Sequence, residues 1–180
     1  MARHLALLRG INVGGNQLVA MANLRAMFER LGLGPAQSIL QSGNIVFESE
    51  GRTPAQLEGL LEAEALKRLK LAAPFFVRTA GEWKGVVAAN PFSDAAEKIP
   101  SHLLVLLLKE APAAAAVASL RAAIVGREQV QAVGRQAYII YSDGIGRSRL
   151  TPGIIDAKLG QRGTARNWNT VLKLAALAAS

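Results

Sequence analysis

Two short polar loops carry the residues whose types and spacing favour ligand binding. Residues 9–16 follow a short apolar run and contain three glycines, two asparagines and one arginine, and residues 41–44 form a second polar, glycine-containing stretch. Asparagine side chains offer hydrogen-bond donors and an acceptor, and an arginine fork suits phosphate or carboxylate. The loops therefore predict a polar ligand site, and the candidate residues are Arg9, Asn12, Gly14, Gly15, Asn16, Ser42 and Asn44.

The same polar side chains have a structural interpretation. Asparagine and serine in loops commonly bond to nearby backbone groups and so hold a turn in shape. Asn12, Ser42 and Asn44 could serve only this purpose. The sequence leaves both interpretations open.

The glycines of the first loop do not form a known nucleotide-binding motif. Gly10 and Gly15 have the spacing of a phosphate-binding loop, but Asn16 and Gln17 stand where that motif requires lysine and then serine or threonine. The dinucleotide-binding motif has a different glycine spacing. A looser anion cradle made of backbone amides remains compatible with the loop.

A second candidate site lies at residues 164–167, where Thr164 is predicted to cap the last helix. A helix N-terminus attracts phosphate through its exposed backbone amides and the helix dipole. An arginine in the first turn would add positive charge, although an acidic partner within the chain is the commoner arrangement. Arg166 and Asn167 are therefore included among the candidate ligand-binding residues.

No constellation of residues predicts catalysis or metal binding. Cysteine is absent, which excludes disulfides and thiolate metal ligands, and His4 and His102 are the only histidines. Nothing in the sequence places either histidine beside a serine, so no acid/base pair can be assembled. We predict neither a cofactor nor a metal, and enzymatic activity stays open.

The composition is that of a basic globular protein. The chain has 180 residues, 51% of them apolar, and 21 lysines and arginines against 13 aspartates and glutamates give a formal net charge of +8. Such charge favours contact with polyanions, or it only keeps the protein soluble. The longest apolar run, residues 103–108, is far below the roughly 20 residues that span a bilayer, and no targeting segment is visible. We expect a cytoplasmic protein that makes no membrane contact.

Apolar periodicity predicts an α+β fold built from two similar halves. In residues 1–79 strands are expected at 3–9, 37–41, 44–48 and 75–78, with helices at about 20–31 and from Thr53 onward. This β-α-β-β-α-β order is that of a ferredoxin-like, split βαβ plait. In such a sheet the first and second strands flank the third, so the two polar loops should lie side by side.

The second half, residues 80–180, is predicted to repeat this order without its last strand. It begins with a short helix capped by Thr79, then a polar connector at 91–100 that is the best internal boundary, then β-α-β-β-α and an extra C-terminal helix. We expect tandem duplicated plait-type halves that pack as one compact unit. Phe47, Tyr138 and Tyr141 are the aromatic residues considered for stacking on bases, as in plait domains that bind RNA.

The chain resembles an uncharacterised bacterial family, domain of unknown function 1697. The resemblance begins at residues 6–15 and runs in order through nearly the whole chain. Its further residues are Met21, Leu24, Arg25, Leu31, Gly32, Gln41, Ser42, Gly43, Asn44, Val46, Phe47, Asn90, Pro91, Phe92, Tyr138, Thr164, Arg166, Asn167, Trp168, Thr170 and Val171. The resemblance implies a duplicated α/β plait-like fold and no established activity.

Three functions remain as hypotheses. The leading one is a binding protein whose polar loops take a phosphate-bearing partner, either a nucleic acid or a nucleotide. The second is an enzyme that acts on a small polar substrate in the same cleft. The third is an interaction module whose glycine loop only docks the second half against the first. Oligomeric state is not predicted.

Overall fold

Two four-stranded antiparallel sheets and seven α-helices form the part of the chain that the computed structural model describes, residues 1–13, 15 and 17–180. The α+β class is as predicted. The chain divides into two compact units: unit 1 is Met1–Gly85 with Lys173–Ser180, and unit 2 is Val86–Leu172. The predicted division of the sequence after residue 79 into two repeats stays a prediction.

Unit 1 contains the first sheet and the helices that cover one of its faces. Its elements are β1 (Ala2–Leu8), α1 (Met21–Arg30), β2 (Gln37–Ile39), β3 (Asn44–Ser49), α2 (Pro54–Leu69), β4 (Phe75–Thr79) and the start of α3 (Ala80–Ala88). The strands pair in the order β2-β3-β1-β4. Both β1 and β2 are antiparallel to β3, as predicted, so the end of β1 and the start of the β2–β3 turn lie at the same edge of the sheet.

The core of unit 1 follows from the alternation of side chains along its strands. Every second residue, including Ala6, Leu8 and Phe47, faces α1 and α2, whose buried residues include Leu24, Phe28, Leu57 and Leu61. Burial of these apolar side chains is the main force that holds the helices on the sheet.

Unit 2 contains the second sheet. Its elements are α4 (Ser93–Lys98), β5 (Leu103–Leu107), α5 (Ala114–Ala122), β6 (Gln129–Val133), β7 (Gln136–Ile140), α6 (Pro152–Leu159), β8 (Thr164–Asn167) and the first part of α7 (Trp168–Ala179), with short 3-10 helices at Pro100–His102 and Ile145–Arg147. The strand order, β6-β7-β5-β8, repeats that of unit 1. A core of Leu106, Leu108, Leu120, Ile139 and Leu159 lies between this sheet and its helices.

The prediction that the second half lacks a final strand is wrong. Residues Thr164–Asn167 form β8, which pairs with β5 from Leu107↔Thr164 to Leu104↔Asn167. The sequence pattern misled because a threonine stands just before a stretch with helical spacing. The helix α7 begins only at Trp168, and its N-terminal side-chain cap is Asn167, whose Oδ1 accepts a hydrogen bond from the Thr170 N–H at 3.0 Å.

The polar connector predicted at residues 91–100 is also more ordered than expected. It contains α4 and the 3-10 helix Pro100–His102. Helix α4 has only six residues and one buried residue, Ala95, so it leaves little apolar periodicity in the sequence.

The two sheets place an arginine at equivalent positions of their edge strands β4 and β8. In unit 1 Leu5 pairs with Val46 and Arg78, and in unit 2 Val105 pairs with Tyr138 and Arg166. Both arginines are buried, and each donates from Nη1 to the carbonyl of the preceding residue, at 2.9 Å for Arg78 and 2.8 Å for Arg166. This shared detail supports two repeated halves.

Several predicted helix caps are confirmed. Thr53 and Gln56 form a reciprocal capping box at α2, and Thr79 and Glu82 form another at α3. Thr151 accepts a hydrogen bond from the Ile154 N–H at 3.4 Å and so caps α6. Such caps satisfy backbone amides that the first helical turn leaves unpaired. None of the helices in the described ranges is long and apolar enough to span a bilayer.

Gly163 is required for the close approach of the chain that enters β8. A Cβ at this position would lie 2.6 Å from the Leu107 carbonyl oxygen and 2.7 Å from Leu106 Cδ1. We expect Gly163→Ala to lower the free energy of unfolding by about 3 kcal/mol, because a backbone oxygen cannot move aside. Urea unfolding, together with hydrogen exchange of the β8 amides, measures this loss.

Gly153→Ala is the matched control, since Gly153 lies in α6 with no atom within 4 Å of an added Cβ. It should stabilise the protein by about 0.5 kcal/mol. Equal effects of the two substitutions would contradict the close approach at Gly163.

Candidate functional site

The first polar loop begins where β1 passes between two other segments of unit 1. The Leu8 N–H donates to the Gly43 carbonyl at 2.9 Å, and the Arg9 N–H donates to the Pro74 carbonyl at 3.4 Å. Arg9 is half-buried. The loop therefore starts from a well-anchored strand end beside the β2–β3 turn.

The side-chain amide of Asn12 ties this loop to itself and to the turn. Its Nδ2 donates to the Val19 carbonyl at 3.0 Å and to the Gln41 carbonyl at 2.8 Å, and its Oδ1 accepts from the Val19 N–H at 2.9 Å. Asn12 has a left-handed backbone, φ 54°, which asparagine tolerates better than most residues. These bonds confirm that the two polar loops are neighbours in space. We call residues 9–13, 15, 17–20 and 40–43 together the loop edge.

Gly43 allows the turn to approach the loop closely. Its φ is +83°, and a Cβ there would lie 2.7 Å from Ile11 Cδ1 and 3.0 Å from Leu8 Cβ. Ile11 is fully buried. The turn therefore rests directly on an apolar side chain of the first loop, and only glycine fits both the space and the backbone conformation.

Asn44 and Ser42 hold the β2–β3 turn. Asn44 is fully buried, and its Nδ2 donates to the Ile39 carbonyl at 3.0 Å and to Ser42 Oγ at 3.1 Å. These contacts fit the structural interpretation of both residues. Gly15 is exposed, and Arg9 is half-buried.

Gly14 and Asn16, two of the predicted ligand-binding residues, lie outside the described residues. Their neighbours carry unusual backbone conformations, since Gly10, Gly15 and Gln17 have φ of 70°, 77° and 45°. With Asn12 this makes four left-handed positions within eight residues. Left-handed residues are a feature of turns whose backbone N–H groups bind anions.

Arg166 and Asn167 do not form the predicted phosphate site at a helix N-terminus. Arg166 lies in β8 rather than in the first turn of a helix, and only 9% of its surface is exposed. Its Nη1 donates to Thr164 Oγ1 at 2.7 Å, and burial lowers the pKa of its guanidinium to about 10. A buried arginine engaged in this way is a structural residue of unit 2, and Asn167 serves as the cap of α7.

The aromatic residues considered for base stacking are not accessible. Phe47 is fully buried and stacks on His4, with 5.5 Å between the ring centroids. Tyr138 donates to the Val86 carbonyl at 2.5 Å, and Tyr141 donates to the Leu150 carbonyl at 3.2 Å. Burial raises the pKa of both phenols, that of Tyr141 to about 12. The suggestion that Phe47 stacks a base is therefore wrong.

Two exposed ion pairs, one in each unit, have displaced pKa values. Arg127 and Asp143 form an exposed hydrogen-bonded pair, which raises the pKa of the Arg127 guanidinium and lowers the pKa of the Asp143 carboxyl. On α2 the hydrogen bond from Arg68 lowers the pKa of Glu64. The described residues include no cluster of three or more histidine, aspartate or glutamate side chains placed to hold a metal ion.

Exposed apolar side chains at the loop edge were not considered in the sequence analysis. Val13, Leu18 and Leu40 are 62%, 75% and 52% exposed. Val13 follows Asn12 in sequence, and Leu18 and Leu40 precede Val19 and Gln41, the two residues to which the Asn12 amide donates. The sequence did contain a signal for these exposed side chains, namely large apolar residues within otherwise polar loops.

One of these side chains, Leu40, also lines a groove in unit 1. The groove has a volume of about 500 Å³ and lies between the end of β2 and one face of α7. Its lining residues are Ile39, Leu40, Lys173, Ala176, Leu177 and Ser180, and we call it the α7 groove. Nothing in the sequence pattern alone brings residues 39–40 to residues 173–180.

Comparison with solved structures places the fold in a known class. The conserved bacterial protein SP0830 from Streptococcus pneumoniae superposes with a TM-score of 0.74 at 21% identity, over 98% of each chain. At this identity the likeness shows the shared two-sheet α+β fold. The family described as protein of unknown function DUF1697 matches residues 1–138, and the chain belongs to this family. A search of curated proteins found no match.

Loss of the Asn12 amide should loosen the loop edge. Asn12→Gly keeps the left-handed backbone accessible but removes three hydrogen bonds. We expect the free energy of unfolding to fall by about 1–3 kcal/mol, and exchange of the Val19 amide to accelerate. Urea unfolding and hydrogen exchange measure both effects.

Gln17→Gly is the control, because Gln17 is exposed and also has a positive φ. It should leave stability unchanged or slightly raised, since glycine removes backbone strain. If Asn12→Gly behaved like this control, the amide would not be holding the loop.

Proposed function

We propose that the protein binds a phosphate-bearing ligand, a nucleic acid or a nucleotide, at the loop edge. The observation that carries the proposal is the Asn12 amide, which joins the described residues of two glycine-containing loops by three hydrogen bonds. An ordered loop pays less conformational entropy when a ligand binds than a flexible loop does.

The charge of the surrounding chain supports an anionic ligand. Residues 1–28 and 30–47 contain Arg3, Arg9, Arg25 and Arg30 and no aspartate or glutamate. Arg9 begins the loop edge, and left-handed residues on either side of position 13 favour a cradle of backbone amides. Phosphate is the ligand that such donors and an arginine fork recognise together.

A structural or interaction module is the second candidate. The specific observation that favours it is the use of the Asn12 and Asn44 amides inside the chain. In that case the loop edge would present Val13, Leu18 and Leu40 to another protein rather than Arg9 to a phosphate. The enzyme hypothesis gains no comparable observation.

We also infer that each unit is a ferredoxin-like plait. The strand orders β2-β3-β1-β4 and β6-β7-β5-β8, with antiparallel pairing throughout, support this assignment. Duplicated plaits, a basic character that serves binding and a cytoplasmic location complete the proposal.

Binding across a salt series tests the proposed function. Labelled single-stranded RNA, single-stranded DNA, duplex DNA and a mononucleotide are titrated with the purified protein. We expect micromolar or tighter binding of one polynucleotide at low salt that weakens as salt rises, because phosphate contacts release counterions. Arg9→Gln should weaken binding and reduce the slope of log K against log salt by about 0.7–1.

Arg52→Gln is the matched control, since Arg52 is an exposed arginine just before α2, away from both loops in sequence. Binding of the mononucleotide alone would restrict the ligand to small nucleotides. Absence of binding at low salt, or an equal effect of the two arginine substitutions, would overturn the proposal.

A further inference from the structure

The α7 groove is a second site whose chemistry differs from that of the loop edge. Lys173, Ala176 and Leu177 are spaced by three and four residues, so they share one face of α7, and Ser180 follows directly after the helix, seven residues from Lys173. At 1.5 Å per residue the stretch from Lys173 to Ser180 is about 10 Å long. The opposite wall is Ile39 and Leu40 at the end of the edge strand β2. A volume of about 500 Å³ lies within the range of small-molecule sites.

Arg3 holds the helix wall of the groove in position. Its Nη1 lies 3.5 Å from the Leu177 carbonyl and 3.4 Å from the Ala178 carbonyl, and its Nη2 lies 3.6 Å from Glu48 Oε1. A guanidinium at these carbonyls satisfies backbone acceptors that the helix C-terminus leaves unpaired. Arg3 therefore links β1 to the last turn of α7, which forms one wall of the groove.

Leu40 has a strained backbone conformation, which glycine or asparagine would adopt at a lower cost in free energy. Its φ of 61° lies in the left-handed region, where a leucine side chain is disfavoured by about 1–2 kcal/mol, and that side chain is 52% exposed. Neither backbone preference nor burial in a core accounts for a leucine here. Strain of this kind is typical of functional positions, and the side chain that it supports lines the groove.

The charge of the groove is one-sided. Among the described lining residues only Lys173 has a charged side chain, which is exposed and has no carboxylate side chain of the described residues paired with it. Residues 30–47 and 157–180 contain no aspartate or glutamate. An anion is therefore the complementary charge. It would bind at the Lys173 end, because the C-terminal end of α7 carries the negative pole of the helix dipole.

We propose that the α7 groove binds a small amphiphilic anion, an aliphatic chain that ends in a carboxylate. The carboxylate pairs with the Lys173 ammonium, and the chain runs along Ala176 and Leu177 against Ile39 and Leu40. This proposal does not depend on the loop edge binding phosphate.

Titration with octanoate tests the proposal, because a chain of eight carbons approximates the length of the groove and stays monomeric at millimolar concentration. Backbone amide NMR spectra of the full chain are recorded as octanoate is added. We expect saturable shifts confined to residues 38–41 and 172–180, with a dissociation constant on the order of 1 mM or tighter. Butyrate, octan-1-ol and octyltrimethylammonium should each bind more weakly than octanoate.

Two substitutions separate the charge from the apolar wall. Lys173→Gln should weaken the binding of octanoate by about threefold, whereas Lys158→Gln on α6 should leave the dissociation constant unchanged. Leu40→Asn should weaken octanoate by about tenfold and leave the melting temperature equal or higher, because asparagine accepts the left-handed backbone. If Leu40 served only a structural purpose, Leu40→Asn would instead lower the melting temperature.

The proposal is overturned by absence of saturable shifts at 10 mM octanoate, or by equal binding of octanoate and the cationic chain. Sedimentation velocity of the same samples tests whether a second copy of the chain occupies the groove instead. A dimer that involves residues 172–180 and excludes octanoate would show that a second copy of the chain covers the groove.

Discussion

The hydrogen bonds of the Asn12 side-chain amide are the interaction on which the loop edge depends. One amide group joins three backbone groups, two at Val19 and one at Gln41, and so closes a loop and attaches it to a neighbouring turn. Ordering these residues costs conformational entropy that a few hydrogen bonds alone hardly offset. Burial of Ile11 beneath Gly43 supplies the apolar contribution. The polar bonds select one geometry, and the apolar contact stabilises it.

The order of the strands makes this arrangement available. Because β1 and β2 flank β3, the end of β1 and the β2–β3 turn lie at one edge of the first sheet. Leu40 lies in that turn and belongs to both surfaces of unit 1, the loop edge and the α7 groove. One short turn therefore supports two surfaces of different chemistry. The first surface is polar and glycine-rich, and the second is apolar with a single ammonium group.

Patterns along the chain predicted what is determined locally. The caps at Thr53, Thr79 and Thr151 follow from capping residues, and the succession of strands and helices in the first sheet follows from apolar periodicity. The order of the strands in that sheet was expected from the plait topology. The strand β8 was missed because its four residues are held by pairing with β5, a distant partner that no local pattern reports. Arg166 was misjudged for the same reason. The proximity of Asn12 to the turn could be predicted from topology, but the use of its amide by Val19 and Gln41 depends on loop geometry.

The central claim is that the two polar loops form one cooperative unit, and a double-mutant cycle tests it most directly. Asn12→Gly and Gly43→Ala are combined, and the free energies of unfolding of the four proteins are measured in urea. Once the Asn12 amide is gone, the loop can move away from an added Cβ at position 43. We therefore predict that the loss in the double variant is smaller than the sum of the single losses by at least about 1 kcal/mol. Additivity within about 0.3 kcal/mol would contradict the claim, because it would mean that the two loops are held independently.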